Sequence, residues 1–394
     1  MSTTRLYYTD SYLTSFEAHL VDVADEGRRV YLDRTAFYPT SGGQPNDLGT
    51  LNDARLIDVI DEGDRIAHVL ETPLPTAMPT VAGRIAWERR FDHMQQHTGQ
   101  HLLSAVLEEA FGYHTVSVHF GKEYSSLDLD VDSVSNDRIV EAESRANALV
   151  AENRAVTVAF EDASRATGLR KESDRTGTLR IVSIDGLDRS ACGGTHVRTT
   201  GEIGAVLVRK VERVRKSTRL EFVCGLRAVR RARADFEALT RIATSLSASL
   251  DDAATLVASQ SDQLRAAENE RRRMERELAG FRARSLYDAA AEDARGLRIV
   301  RREAASMDEL RALAQAFTPL PHAVLIGTLV EPPSLLLATS EDSGIDAGRT
   351  LRDVVTKLGG RGGGSSRVAQ GTVPDGARLA EAVASVVRPS QPSP

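Results

Sequence analysis

His97-Thr98-Gly99-Gln100-His101, read together with Cys192-Gly193-Gly194-Thr195-His196 much further along, decides how the rest of the chain is organised. Each segment sets two metal-ligand side chains four residues apart. Positions i and i+4 share one face of a helix, so the imidazoles of His97 and His101 can point at one ion. The flanks support a helix: Phe91, Met94, Leu102, Val106 and Ala110 recur at helical spacing, and Gly112 lies just past its end. Either pair alone is commonplace on an amphipathic helix. The chain holds only nine histidines and two cysteines, however, and one cysteine adjoins two glycines. Three imidazoles and a thiol suit zinc better than magnesium or calcium. His97, His101, Cys192 and His196 are therefore the expected ligands of one zinc ion.

The 394 residues are too many for one ordinary core and imply two to four domains. No apolar run approaches a membrane span, and the segment from Met1 to Leu13 is polar and aromatic rather than signal-like. Cys224 has no evident partner, which argues against a disulfide framework and for a reducing, cytoplasmic setting. A net charge of -6 excludes a wholly basic nucleic-acid coat but leaves room for local basic patches.

Residues 1–90 read as β-rich, with alternating segments punctuated by Glu26-Gly27, Ser41-Gly42-Gly43 and Glu62-Gly63, and a small closed or Greek-key barrel is expected. Within it, the run Thr35 to Pro45 presents aromatics, hydroxyls and two glycines that permit close backbone approach; read from physics alone it is first a tight turn. Residues 91–225 alternate the histidine helix with strands at Thr115 to Phe120, Ser125 to Val131, Val156 to Phe160, Leu179 to Ile184 and Ala205 to Val214, an α+β pattern. Over 226–290, Leu226, Val229, Phe236, Leu239, Ile242, Leu246 and Leu250 recur at helical spacing, predicting a helical hairpin with coiled-coil character that serves as an arm or a homodimer surface. Residues 291–394 alternate strand and helix. They contain the glycine-rich stretch Gly359 to Gly364 and end in a tail, Pro389 to Pro394, without a fixed fold. The fold class expected is thus α+β and multidomain.

Three motifs stand in this order: Phe37-Tyr38-Pro39-Thr40-Ser41-Gly42-Gly43-Gln44, His97-Thr98-Gly99-Gln100-His101-Leu102-Leu103, and Cys192-Gly193-Gly194-Thr195-His196-Val197 followed by Arg198 to Gly204. The set resembles the editing half of alanyl-tRNA synthetase, and more closely the freestanding alanyl-tRNA editing proteins of the AlaX type, over essentially the whole chain. The resemblance implies a hydrolase that removes serine, and glycine as a second candidate, from tRNA for alanine. With the run that holds the first motif starting at Thr35, no preceding domain for amino-acid activation is expected, so the chain would edit in trans without charging tRNA. Residues 291–394 resemble the DHH-associated domain that ends alanyl-tRNA synthetases, a module associated with tRNA binding.

Hydrolysis of an aminoacyl ester needs an attacking water and stabilisation of an oxyanion, and a zinc-bound water, with no side chain assigned as catalyst, is the expected nucleophile. Four protein ligands would close a tetrahedral shell, whereas catalytic zinc usually keeps a position open. A loosely held ligand, an expanded shell and a metal that mainly shapes the pocket are all compatible with the sequence. A pocket that accepts serine and rejects alanine needs a partner for the serine hydroxyl. Thr98, Thr40, Ser41 and Gln44, with the backbone of Gly42 and Gly43, are candidates. Thr98 can equally bond its own helix. His93, one turn before His97, would either brace a ligand or face solvent. Arg209, Lys210, Arg215 and Lys216 belong to a local basic band suited to phosphates, and Gly360, Arg361, Gly362 and Gly363 to a loop that would either wrap phosphates or act as a linker. Two alternatives compete: editing of another mischarged tRNA, such as one for threonine bearing serine, and an RNA-binding protein whose zinc is purely structural.

Overall fold

The computed structural model describes residues 2–75, 79–174 and 176–387; the tail Pro389 to Pro394 lies outside the described residues. The chain forms two compact units, Met1–Ile242 and Ala243–Pro394.

The first unit opens with strands β1 (Thr4–Arg5), β2 (Ser15–Ala24), β3 (Arg29–Leu32), β4 (Arg34–Thr35), β5 (Gly49–Leu51), β6 (Ala54–Asp61), β7 (Ile66–Leu70) and β8 (Thr80–Ile85). Six of them close into a barrel in the order β2-β3-β7-β6-β5-β8. Alternation explains the closure. Strand β8 reads exposed-buried throughout, and Val81 and Ile85 join Phe16, Val30, Leu56 and Ile66 in the barrel core.

The barrel core also contains a titratable group. His68 of β7 is fully buried, within 2.8 Å of the Thr35 hydroxyl through Nε2 and 3.2 Å from the Val30 carbonyl oxygen through Nδ1. Burial lowers its pKa to about 4, against 6.5 for the free side chain. The unfolded chain therefore takes up this proton first. The stabilisation is complete above pH 6.5 and is lost as pH falls from 6.5 to about 4, by roughly 3 kcal/mol. Between pH 7 and pH 4, urea unfolding should show a loss roughly 3 kcal/mol larger in the native chain than in His68→Gln; equal pH dependence in both would refute it.

The rest of this unit is built on helix α1 (Trp87–Phe111), of which sixteen residues from Arg90 to Leu107 are buried. Gly112 ends it in the left-handed conformation at φ 69°. Around it lie β9 (Thr115–Phe120), β10 (Ser125–Leu129), α2 (Asn136–Ala151), β11 (Val156–Asp162), β12 (Thr178–Ile184), β13 (Asp188–Ala191), β14 (Val206–Val214) and β15 (Ser217–Cys224). They form a four-stranded antiparallel sheet, β14-β15-β10-β9, and a three-stranded one, β11-β12-β13. Met94, Leu102, Val106, Leu127, Ile139, Ile184 and Phe222 share one core. Gly99 has a packing role: a Cβ there would sit 2.3 Å from Sγ of Cys224, a buried thiol that burial keeps protonated.

Helix α3 (Gly225–Ser245) runs into the division between the units. The second unit contains α4 (Ala253–Ala289), β16 (Arg298–Glu303), α5 (Met307–Phe317), β17 (Ala323–Leu329), β18 (Ser334–Thr339), α6 (Ala347–Lys357), β19 (Arg361–Gly364), β20 (Val368–Thr372) and α7 (Gly376–Val387). Its sheet runs β16-β17-β18-β20-β19, with β16 and β17 parallel and joined through α5. The glycine-rich stretch, expected as a loop, is instead largely an edge strand paired with β20. Its glycines answer to packing. A Cβ at Gly360 would meet the Thr372 carbonyl oxygen at 2.1 Å, and one at Gly362 would meet Leu351 of α6 at 2.8 Å.

Candidate metal centre

Helix α1 and the turn after β13 bring His97, His101, Cys192 and His196 together, with one ligand atom from each lying within 4.8 Å of all the others. Cys192 Sγ stands 3.4 Å from His97 Nε2 and 3.3 Å from His196 Nε2. Bond lengths of about 2.3 Å to sulfur and 2.0–2.1 Å to nitrogen at tetrahedral angles require S···N separations of about 3.6 Å. The two S···N separations lie close to that value, and the donor set of three imidazoles and one thiol is one that could hold a tetrahedral ion of the zinc type. Burial would raise the Cys192 thiol pKa, but the neighbouring His97 and His196 imidazoles overcome it and hold the group well below its ordinary value. The thiolate is the form that binds metal.

Each imidazole is fixed through its other nitrogen. His97 Nδ1 lies 2.8 Å from Gln44 Oε1, His101 Nδ1 2.8 Å from Asp188 Oδ2, and His196 Nδ1 3.1 Å from Thr98 Oγ1. With Nδ1–H donating in each case, the Nε2 lone pairs are free for the common centre. The braces are themselves held. Gln44 Nε2 donates to the Thr195 hydroxyl, and its oxygen also accepts the Thr195 N–H. The Thr98 hydroxyl accepts the Val197 N–H. Asp188 accepts from Arg170 Nε at 2.7 Å and from the Ser190 hydroxyl. The Asp188 carboxyl, which burial alone would raise, is brought down to about 2 by the His101 and Arg170 contacts. Gly194 is required by closeness, since a Cβ there would lie 2.2 Å from the His97 ring.

The residues expected to contact substrate fall into two groups. Gln44 and Thr98 reach the cluster, but as braces of its histidines; Thr98 does not bond its own helix. Ser41-Gly42-Gly43-Gln44 is the tight turn, with reciprocal N–H···O bonds between Ser41 and Gln44 and φ of 56° and 83° at the two glycines. Gly43 packs where a Cβ would meet the Val118 carbonyl oxygen at 3.1 Å, and Phe120, two residues further along β9, sets its ring 4.8 Å from that of His97. Thr40 and Ser41 are exposed, and the Thr40 hydroxyl accepts the Asn46 N–H. His93 is buried, not solvent-facing, and its Nδ1 has no hydrogen-bond partner among the described residues. Burial and the nearby Arg89 and Arg227 cations lower its pKa to about 3.

Of the basic band, Arg209 is paired with Asp235 and Lys210 with Glu212 and Glu221. Arg215 and Lys216 sit exposed at the tip of the β14–β15 hairpin, where Arg215 takes φ 58°.

Asp188, which braces His101, is a candidate that motif reading missed. The signal lay in strand period: Asp188, Ser190 and Cys192 alternate along β13 and its continuation and so share a face. Asp188→Ala should weaken metal binding by roughly 10–100-fold, measured by competition with a chromogenic chelator. An unchanged affinity would reduce Asp188 to a packing role.

A cleft of about 270 Å³ opens beside the cluster, lined by His101 and Cys192 together with Gln100, Ser117, Lys171 and Ser190. Gln100 is 5% exposed and uses its amide nitrogen to donate to Ser104.

A family model described as "Threonyl and Alanyl tRNA synthetase second additional domain" matches residues 179–220, which run from β12 through the first half of β15 and include Cys192 and His196. The alanyl-tRNA editing protein AlaX-L of Pyrococcus horikoshii is 31% identical over 385 residues, covering 94% of this chain and 94% of its own. The chain belongs to the alanyl-tRNA editing protein family. AlaX-M of Methanosarcina acetivorans is 37% identical over 54% of this chain and 95% of its own. The alanine–tRNA ligase of Korarchaeum cryptofilum is 33% identical over 94% of this chain, but the chain spans only 43% of that ligase. Among the described residues no helix is long and apolar enough to cross a membrane.

Proposed function

We propose that this protein is a trans-editing aminoacyl-tRNA deacylase that frees tRNA for alanine of wrongly attached serine, with glycine as a second substrate, and that it does so in the cytoplasm. The observation that carries this reading is the cluster of three individually braced imidazoles and one thiolate, open to a small polar cleft, in a chain of the alanyl-tRNA editing family. The donor set is the one zinc takes, and zinc held there supplies Lewis acidity toward the ester carbonyl and the attacking water. Gln44, Asp188 and Thr98 keep the three Nε2 atoms converged, so the site needs little reorganisation during reaction. In the hydrolysis a C–O bond forms from water, the ester C–O bond to the terminal ribose breaks, and the ribose oxygen leaves with a proton.

The cleft is sized for a small amino acid rather than a nucleotide. Gln100 lines it with its amide nitrogen already engaged, which leaves the carbonyl oxygen to accept from a serine hydroxyl. Alanine offers no such donor, and discrimination by a polar group exceeds what one methylene provides. Arg215, Lys216, Gly360, Arg361, Gly362 and Gly363 remain the candidates for contacts with the tRNA body.

The test is deacylation of seryl-, glycyl- and alanyl-tRNA for alanine by the zinc-loaded protein. Faster loss of the seryl ester than of the alanyl ester supports the reading. If no ester is lost faster than in buffer, the reading fails. If seryl-tRNA for threonine is the preferred substrate, editing is retained and the tRNA assignment is overturned.

A further inference from the structure

One more cleft in the first unit has chemistry that the metal centre does not use. It has a volume of about 660 Å³ and is lined by the first two turns of α1, the turn after β9 and the start of α3. Arg89, Lys122 and Arg230 lie on it, and none has an ion-pair partner among the described residues. Arg227 also lines it but is neutralised by bidentate contact with Asp92, leaving Glu88 as the opposing acid. An acidic protein thus gathers three unpaired cations around one concavity. Trp87 and Phe91, stacked on each other with ring centroids 5.4 Å apart, form its apolar wall. His93, whose Nδ1 has no hydrogen-bond partner among the described residues, also lines it. Cations beside aromatic rings in a groove are the pattern that holds single-stranded nucleic acid.

Position gives the pattern its meaning. The cleft adjoins the metal centre through three segments: His93 is one turn, about 6 Å, before His97 on α1, Pro45 follows Gln44, and Gly121 follows Phe120. The cleft at Gln100 and His101 lies one turn further along the same helix. Along α1 the order is therefore basic cleft, metal cluster, small polar cleft. We propose that the basic cleft binds the RNA strand next to the esterified terminus, its phosphates held by Arg89, Lys122 and Arg230 and a base packed against Trp87 and Phe91, while the amino acid enters the small cleft. This rests on the editing reading for the identity of the strand and adds the site that holds it.

The test has two independent readouts. Trp87 is the only tryptophan in the chain, so its fluorescence reports on this cleft. A short RNA with the acceptor sequence and no amino acid should quench it. Lys122→Ala/Arg230→Ala, at two exposed positions, should weaken that binding about tenfold at 0.1 M salt and lower the slope of log affinity against log salt by about 1.4, or 0.7 per contact. Glu88→Gln should tighten it. On seryl-tRNA the double variant should raise KM and leave kcat near that of the native chain. Unchanged affinity and salt slope in the double variant would overturn the proposal. Because binding is read without turnover, a chain that hydrolyses no ester yet shows these shifts refutes the editing reading alone.

Discussion

Cys192→Ala is expected to abolish deacylation, by roughly a thousandfold or more, while the chain stays folded and still binds tRNA. The expectation follows from the ligand geometry. Cys192 is the only anionic donor of the cluster, and its sulfur lies 3.3–3.4 Å from two of the three imidazole nitrogens. Removing it leaves three neutral donors for a dication, and a Lewis acid contributing several kcal/mol to the transition state is lost or displaced. The fold should survive, because the core around α1 is built from Met94, Leu102, Val106, Leu127 and Phe222 rather than from the metal. A purely structural ion predicts the opposite. Four ligands can close a tetrahedron, and if the ion held the domain together, Cys192→Ala would unfold it and lose tRNA binding along with activity. Circular dichroism, metal content and seryl-tRNA turnover on one preparation separate the two. Loss of the folded signal together with activity refutes the catalytic assignment.

The clustering of His97, His101, Cys192 and His196 was legible in the sequence because two of them obey a local rule, the i,i+4 face of a helix, and the other two flank glycines. The barrel was legible for a similar reason, since alternation and turn residues are local signals. What supports the quartet was not. Asp188 lies 87 positions from the His101 that it braces, and the bond exists only because β13 is brought against α1. Gln44 and Thr98 were singled out from sequence for a substrate role, and the structure shows them bonded to His97 and His196, partners that a polar residue beside a motif does not reveal. The glycine-rich stretch was expected as a loop because composition cannot distinguish glycines that confer flexibility from glycines that let a strand lie close to a helix. Half of the four cations named in the basic band form ion pairs with Asp235, Glu212 and Glu221, partners supplied largely by pairing across the β14–β15 hairpin and by α3.

The same kind of long-range contact gives the second large effect, on stability. Arg90 is the largest fully buried side chain described, and Asp47, its partner, is buried as well. The guanidinium donates to both Asp47 oxygens through Nε, and also to the Ala36 and Ser11 carbonyl oxygens. Asp47 in turn accepts the Tyr38 N–H at 2.6 Å. These bonds fasten the first turn of α1 to the segment 36–47, which carries Gln44 to His97. Arg90→Met keeps much of the volume but strands a buried carboxylate, at an expected cost of about 3–5 kcal/mol. Asp47→Leu in the same background removes that orphaned charge and should restore most of the stability. It should not restore activity to the same degree, because the Ala36 and Ser11 carbonyl oxygens still lack their donor and the turn bearing Gln44 is no longer fixed to the helix bearing His97. Urea unfolding and seryl-tRNA turnover of the single and double variants test both parts. A loss below about 1 kcal/mol in Arg90→Met would show that the pair is not needed for stability, and full activity in the double variant would show that the turn is positioned by other contacts.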